Sequence, residues 1–265
     1  MSDPTTTESR HAATTQGGAT GRAALKARTY PETSFGGFTR WDGTVAFLNR
    51  VHSLLPERGT VLDVGCGRGA AIDDPCAWRR GLADLRRPGR RVIGIDVDGA
   101  GATNPIIDEF RPIPPDMRWP VDDASVDCAV ARSVLEHVPD PEAFFRELSR
   151  VLRPGGYFAA HTPNRFSYPS IVATLIPNRY HARVVGRVQD AREEHDVFPT
   201  VFRVNTKRKL RAIARRHGID CCVHTWEAEP SYLTFSPLLY RLGAIAHRLI
   251  PPPFQSVLFV WARKR

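Results

Sequence analysis

Short, nearly continuous apolar runs punctuate this chain, separated by longer stretches in which apolar residues recur every three or four positions. The runs cover residues 60–64, 91–95, 126–131, 157–161, 219–226 and 256–262. Runs of that length bounded by Gly, Pro, Asp or charge predict strands buried on both faces. A seventh, poorer strand is expected within 106–113, because Pro112, Pro114 and Pro115 cannot donate to a ladder. Helical spacing fills the gaps. Val45, Leu48, Val51, Leu54 and Leu55 predict a helix over 41–55, ended by Pro56. Asp140-Pro141 reads as an N-cap and first helical residue before the apolar face of Phe144, Phe145, Leu148, Val151 and Leu152. Arg153-Pro154-Gly155-Gly156 is expected to stop that helix. Further helices are predicted over 206–217, closed by Gly218, and over 237–250, closed by Pro251 to Pro253.

Strands alternating with helices imply the α/β class. The expected architecture is a doubly wound, mostly parallel, seven-stranded Rossmann-like sheet. Residues 163–205 break the rhythm and are expected to form a cap inserted after strand five, over the carboxyl edge. Residues 1–28, rich in Ser, Thr, Ala and Gly, predict a disordered tail, which leaves 29–265 as one folded domain. No run is apolar enough for a signal-peptide core or a membrane span. At 42% apolar residues the chain can fill a sizeable core. The net charge of +9 comes from arginines spread along the chain. It admits an anionic partner without identifying one. Cys66, Cys76, Cys128, Cys221 and Cys222 are odd in number and form no C-x-x-C, so neither a zinc site nor a disulfide framework is expected. Reduced thiols point to a cytoplasmic location.

The chemistry concentrates at Val61-Leu62-Asp63-Val64-Gly65-Cys66-Gly67-Arg68-Gly69, an apolar strand running into three glycines. Such glycines let the backbone turn tightly and let a ligand approach the main chain, and the loop 65–69 is expected to open a short helix. The third glycine comes one residue too early for a nicotinamide fingerprint, and no Gly-Lys-Ser/Thr follows for a phosphate loop. Asp96 ends strand two, where one carboxylate can accept from both hydroxyls of a ribose. The run from Trp119 to Phe158 contains Trp-Pro, Asp-Asp-Ala-Ser-Val-Asp, Ser-Val-Leu-Glu-His-Val and Val-Leu-Arg-Pro-Gly-Gly. With the glycine segment, this resembles the class I S-adenosylmethionine (SAM)-dependent methyltransferases over about residues 58–162, with a weaker likeness beyond.

The resemblance implies a SAM cofactor and assigns its contacts. They are Asp63, Gly65, Cys66, Gly67 and Gly69 in the first motif, and Asp96 and Val97 after strand two. Asp116 and Met117 would bracket the adenine, with Asp108 as the rival acid, and Arg132 and Ser133 follow strand four. Two departures stand out. Asp96 follows Asp63 by 33 residues, longer than usual, which the Arg-rich 73–90 stretch explains, and Asp116 is unusually spaced. His137, just after strand four, is the candidate general base, with a structural histidine as its alternative, and His161 is a weaker candidate. Glu193-Glu194-His195-Asp196 reads as a solvated face, since consecutive residues rarely converge on one metal.

The implied reaction is methyl transfer from SAM, on oxygen, to a small-molecule, glycan or lipid-linked acceptor. The cap would select that acceptor through Arg165, Phe166, Tyr168, Arg179 and Tyr180, with ordinary packing within the cap as the alternative role of these residues. One alternative is an RNA methyltransferase, favoured by charge but lacking the Asn/Asp-Pro-Pro-aromatic motif after strand four, so a nucleic-acid partner is not expected. Another is a non-catalytic SAM-binding scaffold. The 237–250 helix, with Arg241 and Arg248 beside its apolar face, can cover the sheet edge, contact a membrane surface peripherally or pair with a second copy.

Overall fold

The protein is described here by a computed structural model that covers residues 21, 23–175 and 200–265. The strands β1 (Gly59–Val64), β2 (Arg90–Asp96), β3 (Glu109–Pro112), β4 (Val126–Arg132), β5 (Leu152–Pro163), β6 (Ile219–Trp226) and β7 (Val257–Lys264) form one sheet. Their order is β3-β2-β1-β4-β5-β7-β6. The first five are parallel, and β7 runs antiparallel between β5 and β6.

Both faces of the sheet are covered, which is why the strands read as apolar throughout. Along β4, Ala129 and Ala131 face one core and Cys128 and Val130 the other. Helices α4 (Pro141–Val151) and α6 (Lys207–Arg216) close the first core through Phe144, Phe145, Leu148, Leu210 and Ile213. Helices α2 (Gly43–Leu54) and α3 (Ala77–Ala83) close the second through Phe47, Leu48, Val51 and Leu82. The Asp140 cap forms as its sequence requires, its carboxylate accepting from the Glu142 and Ala143 amides at 3.0 and 3.1 Å.

Several boundaries differ from the sequence expectation. The glycine loop does not open directly into a helix. A single 3₁₀ turn, Ala70–Asp73, follows it, and α3 begins only at Ala77. Pro75 lacks the amide a continuous helix needs, and the Asp74 side chain instead accepts from the Cys76 amide at 2.8 Å. β5 starts at Leu152, so Arg153–Gly156 belongs to the strand rather than merely ending α4. A register irregularity between Val126 and Cys128 absorbs the extra residues. β3 forms despite its prolines because it lies at the sheet edge. The helix expected over 237–250 divides into α7 (Pro237–Ala246) and a 3₁₀ turn, His247–Leu249.

Order also begins earlier than residue 29. Residues 23–29 form helix α1. Leu25 of α1 is buried with Tyr30, Tyr240 and Ala244, and Lys26 pairs with Glu229. Of the expected cap, the described part is 163–175, including α5 (Tyr168–Leu175), and the return from 200 onward. The Arg165 amide donates to the Asn205 carbonyl at 3.1 Å and joins the two ends. Arg179, Tyr180 and the Glu193–Asp196 run lie outside the described residues. Among the described residues, no helix is long and apolar enough to cross a membrane, and no His, Cys, Asp and Glu cluster could hold a metal.

Candidate active site

The site assembles at the carboxyl ends of β1, β2 and β4. Gly65, Gly67 and Gly69 have φ of +68°, +50° and +76°, in the left-handed region that residues with a Cβ enter at a cost. A Cβ at Gly65 would lie 2.4 Å from Val134 Cγ2, and one at Gly69 would lie 2.4 Å from Asn104 Oδ1. A Cβ at Gly67 would meet nothing within 4 Å. The loop is therefore packed on two sides and open at its middle glycine.

Backbone and side-chain bonds fix that shape. The Gly65 and Cys66 amides both donate to the Ile95 carbonyl, at 2.7 and 3.3 Å. Asn104, buried in the turn before β3, donates through Nδ2 to the carbonyls of Cys66 at 2.9 Å and Gly67 at 3.1 Å. Its Oδ1 accepts from the Ile106 amide at 3.0 Å. Sequence reasoning missed Asn104. The Asn104-Pro105 pair signals a turn, but nothing local to it points to a loop nearly forty residues earlier.

The two acids take different roles. Asp96 Oδ2 accepts from the Gly67 amide at 2.8 Å and Oδ1 from the Asp98 amide at 3.0 Å. Each oxygen keeps acceptor capacity for a ligand beside the open glycine. Asp63 is buried, and Arg132 Nη2 lies 3.5 Å from its Oδ2. Burial pushes the Asp63 carboxyl above the usual carboxylate range, the Arg132 charge opposes that, and Asp96 adds to it. The Cys66 thiol is pushed up to about 12 by burial and by the charges of Asp63 and Asp96, so it is no nucleophile.

After β2 and β3 the chain leaves two apolar side chains in solvent, Val97 at 54% exposure and Met117 at 43%. The two loops are joined where the Ile113 amide donates to the Asp96 carbonyl at 2.7 Å. Met117 has φ of +59°, a strained conformation for a side chain of its size. The exposed Asp116 carboxylate accepts from the Arg118 amide at 3.0 Å. Its rival Asp108 accepts from the Val92 amide at 2.8 Å, ahead of β3 and so at the opposite end of the strand. That removes Asp108 from the site.

Ser133 also has positive φ, +55°, and its amide donates to the His161 carbonyl at 2.8 Å. The half-buried His137 closes a tight turn through its amide to Val134 O at 2.9 Å. Val134 is the residue that rests on Gly65, so this turn rides on the glycine loop. His161 lies in β5 just before its end, in register with Arg132, its ring 5.7 Å from those of both Phe47 and Phe259. Burial, then the Arg132 charge, lower its pKa to about 4, so the imidazole is neutral near pH 7. His161 lines a cavity of about 230 Å³ with Asp42, Thr44, Arg79, Glu229 and Ser231. Arg79 pairs there with Asp42 at 2.7 Å and with Asp74 at 2.7 Å. A larger cavity of about 500 Å³ lies away from the glycine loop, between Tyr157, Arg215, Asp220 and Arg263.

The site thus unites Gly65, Gly67, Asp96, Asp63, Arg132, Ser133 and the turn bearing His137, while Val97 and Met117 flank it and Asp116 contacts only its own turn. A glycine bend between two carboxylates at the mouth of a parallel sheet lies where open α/β sheets bind their ligands. A family model described as a methyltransferase domain matches residues 38–223, and the chain belongs to that family. Membership bears out the class I resemblance of the motifs. A "probable S-adenosylmethionine-dependent methyltransferase" of Mycolicibacterium smegmatis is 38% identical over 134 residues, 49% of this chain and 47% of the relative. A trans-aconitate 2-methyltransferase of Azoarcus sp. is 30% identical over 140 residues, 50% of each. The chain spans about half the length of these curated relatives. A Haloferax volcanii complex of the Trm112 methyltransferase activator with a methyltransferase matches with TM-score 0.52 at 18% identity, covering 91% of this chain and 95% of that one. At that identity the likeness concerns the fold.

Proposed function

We propose that this protein transfers the methyl group of SAM to an oxygen of a small-molecule acceptor, in the cytoplasm. The observation that carries the reading is Asp96, bonded to the Gly67 amide beside the open face of the loop and retaining lone pairs for ribose hydroxyls. Bound SAM would supply an already activated sulfonium methyl, so no covalent nucleophile is asked of the protein. Val97 and Met117 would cover the adenine, and Asp116 would accept from its amino group. Arg132 and Asp63 together offer opposite charges suited to a zwitterionic amino-acid end.

The remaining work is orientation, exclusion of water and removal of one proton. The cavity beside His161 is the natural seat for the acceptor. Its charges are paired, which suits a hydroxylated or carboxylated molecule better than a polyanion. His137 is the proposed base, carried on the turn that rests on Gly65. His161, neutral but weakly basic, is better suited to orient an acceptor hydroxyl.

Calorimetry tests the reading. Wild-type protein is expected to bind SAM, and Asp96→Ala to weaken that binding by about 1.5–3 kcal/mol, the worth of hydrogen bonds to a charged group. Unchanged affinity in the variant rejects the assignment of Asp96. Incubation of extract fractions with methyl-labelled SAM then identifies the acceptor.

A further inference from the structure

Helix α7 is buried on one side only. Tyr240 and Ala244 pack with Leu25 and Tyr30, and His247 Nε2 lies 3.3 Å from the Tyr30 hydroxyl. The other side carries Leu238, Leu239, Leu242, Ile245 and, in the following turn, Leu249, each 42–77% exposed. Phe235 and Phe254 continue the exposed apolar surface at either end. Single exposed apolar residues are ordinary on a protein surface, but seven within one short stretch mark an interaction surface.

Charge decides what fits it. Arg241 and Arg248 are exposed within the stretch, and residues 230–265 contain no Asp or Glu. Asn164 Nδ2 donates to the carbonyls of Pro253 at 2.9 Å and Gln255 at 2.8 Å. That bond sets the turn bearing exposed Arg165 and Phe166 beside the turn bearing Phe254. The rim is therefore cationic and the centre apolar. A second copy laid on this face by a two-fold axis would set one arginine-bearing stretch against another, with no carboxylate from either stretch to offset the charge. An anionic bilayer complements both features: lipid phosphates meet the arginines and acyl chains accept the leucines. With ten residues, α7 is long enough to lie in the interface and too short to cross it.

We infer that the α7 face, from Phe235 to Phe254, docks on an anionic membrane surface, with Leu238, Leu242, Ile245 and Leu249 entering the acyl boundary and Arg241, Arg248 and Arg165 meeting lipid phosphates. The inference does not depend on the methyl-transfer reading.

Sedimentation of the full chain with vesicles tests it. The protein is expected to pellet with phosphatidylglycerol-phosphatidylcholine vesicles and on the order of tenfold more weakly with phosphatidylcholine alone. The combined Leu242→Ser, Ile245→Ser, Leu249→Ser variant changes exposed side chains only. It should keep the wild-type circular-dichroism melt and lose binding by tenfold or more. Arg241→Gln with Arg248→Gln should reduce binding to the anionic vesicles alone. Wild-type protein remaining in the supernatant overturns the inference. So does serine-variant protein that pellets like wild type, or light scattering that finds a dimer which the serine substitutions dissolve.

Discussion

Arg132 ends β4 between its register partner His161 on β5 and the carboxylate of Asp63 on β1, 3.5 Å from its guanidinium. Arg132 acts in two directions. It opposes the cost of burying the Asp63 carboxylate, and it helps keep the His161 ring neutral. The second effect has a consequence for stability. His161 titrates at about 4 in the folded chain, against an ordinary value of 6.5. Below that ordinary value the unfolded chain takes up a proton the folded chain refuses, so stability falls as pH drops from 6.5 towards 4 and is indifferent to His161 above that window. At about pH 5 the loss attributable to this residue is about 1–2 kcal/mol. Urea unfolding of His161→Gln is expected to show a shallower decline between neutral pH and pH 5 than wild type. Parallel curves would mean that the ring is not held neutral. Cys66 illustrates the same economy of position. It is inert because it is buried and, secondly, because it sits beside two acids, while its backbone carbonyl and amide help to hold the loop.

At the scale of elements, the glycine loop is held by neighbours more than by its own sequence. Asn104 is the main one, accounting for two loop carbonyls and one amide of its own turn. Asn104→Ala leaves those buried groups unpaired and is expected to cost about 1–3 kcal/mol of stability, with weaker SAM binding as the loop loosens. Urea titration and calorimetry read the two effects, and a variant with wild-type values in both would remove Asn104 from the loop's support. The elements differ in how legible they were. The Asp140 cap, the apolar face of α4 and the double-sided strands are local patterns, and each formed where its residues predicted. The early start of β5 at Leu152 was hidden, because Arg153-Pro154-Gly155-Gly156 has the composition of a stop and pairs only when β4 supplies a partner. The 3₁₀ turn after Gly69 was hidden behind Pro75, whose effect depends on where Asp74 finds a donor.

At the scale of the whole molecule, the sheet, its layers and the position of the glycine loop followed from the order of runs along the chain. Contacts between distant segments did not. Leu25 and Tyr30 pack against α7, Lys26 pairs with Glu229 ahead of it, and their stretch reads as tail or linker until Tyr240 and Glu229 are brought beside it. The cofactor reading also makes a prediction at this scale. A ligand that binds only the folded chain stabilises all of it, so SAM at a hundred times its dissociation constant should add about 2.7 kcal/mol to unfolding. A chemical melt whose midpoint does not move with SAM would deny the loop its ligand.

The seat of β7 has an outcome for synthesis on the ribosome. Among the described residues, β6 pairs with the sheet only through β7, which the chain makes after it. Until residues 257–264 emerge, β5 offers a raw edge of unpaired amides and carbonyls, and residues 219–226 have no strand to join. Raw edges invite pairing with other nascent chains. A strand translated after both of its neighbours is therefore the one that shields this half of the protein from aggregation.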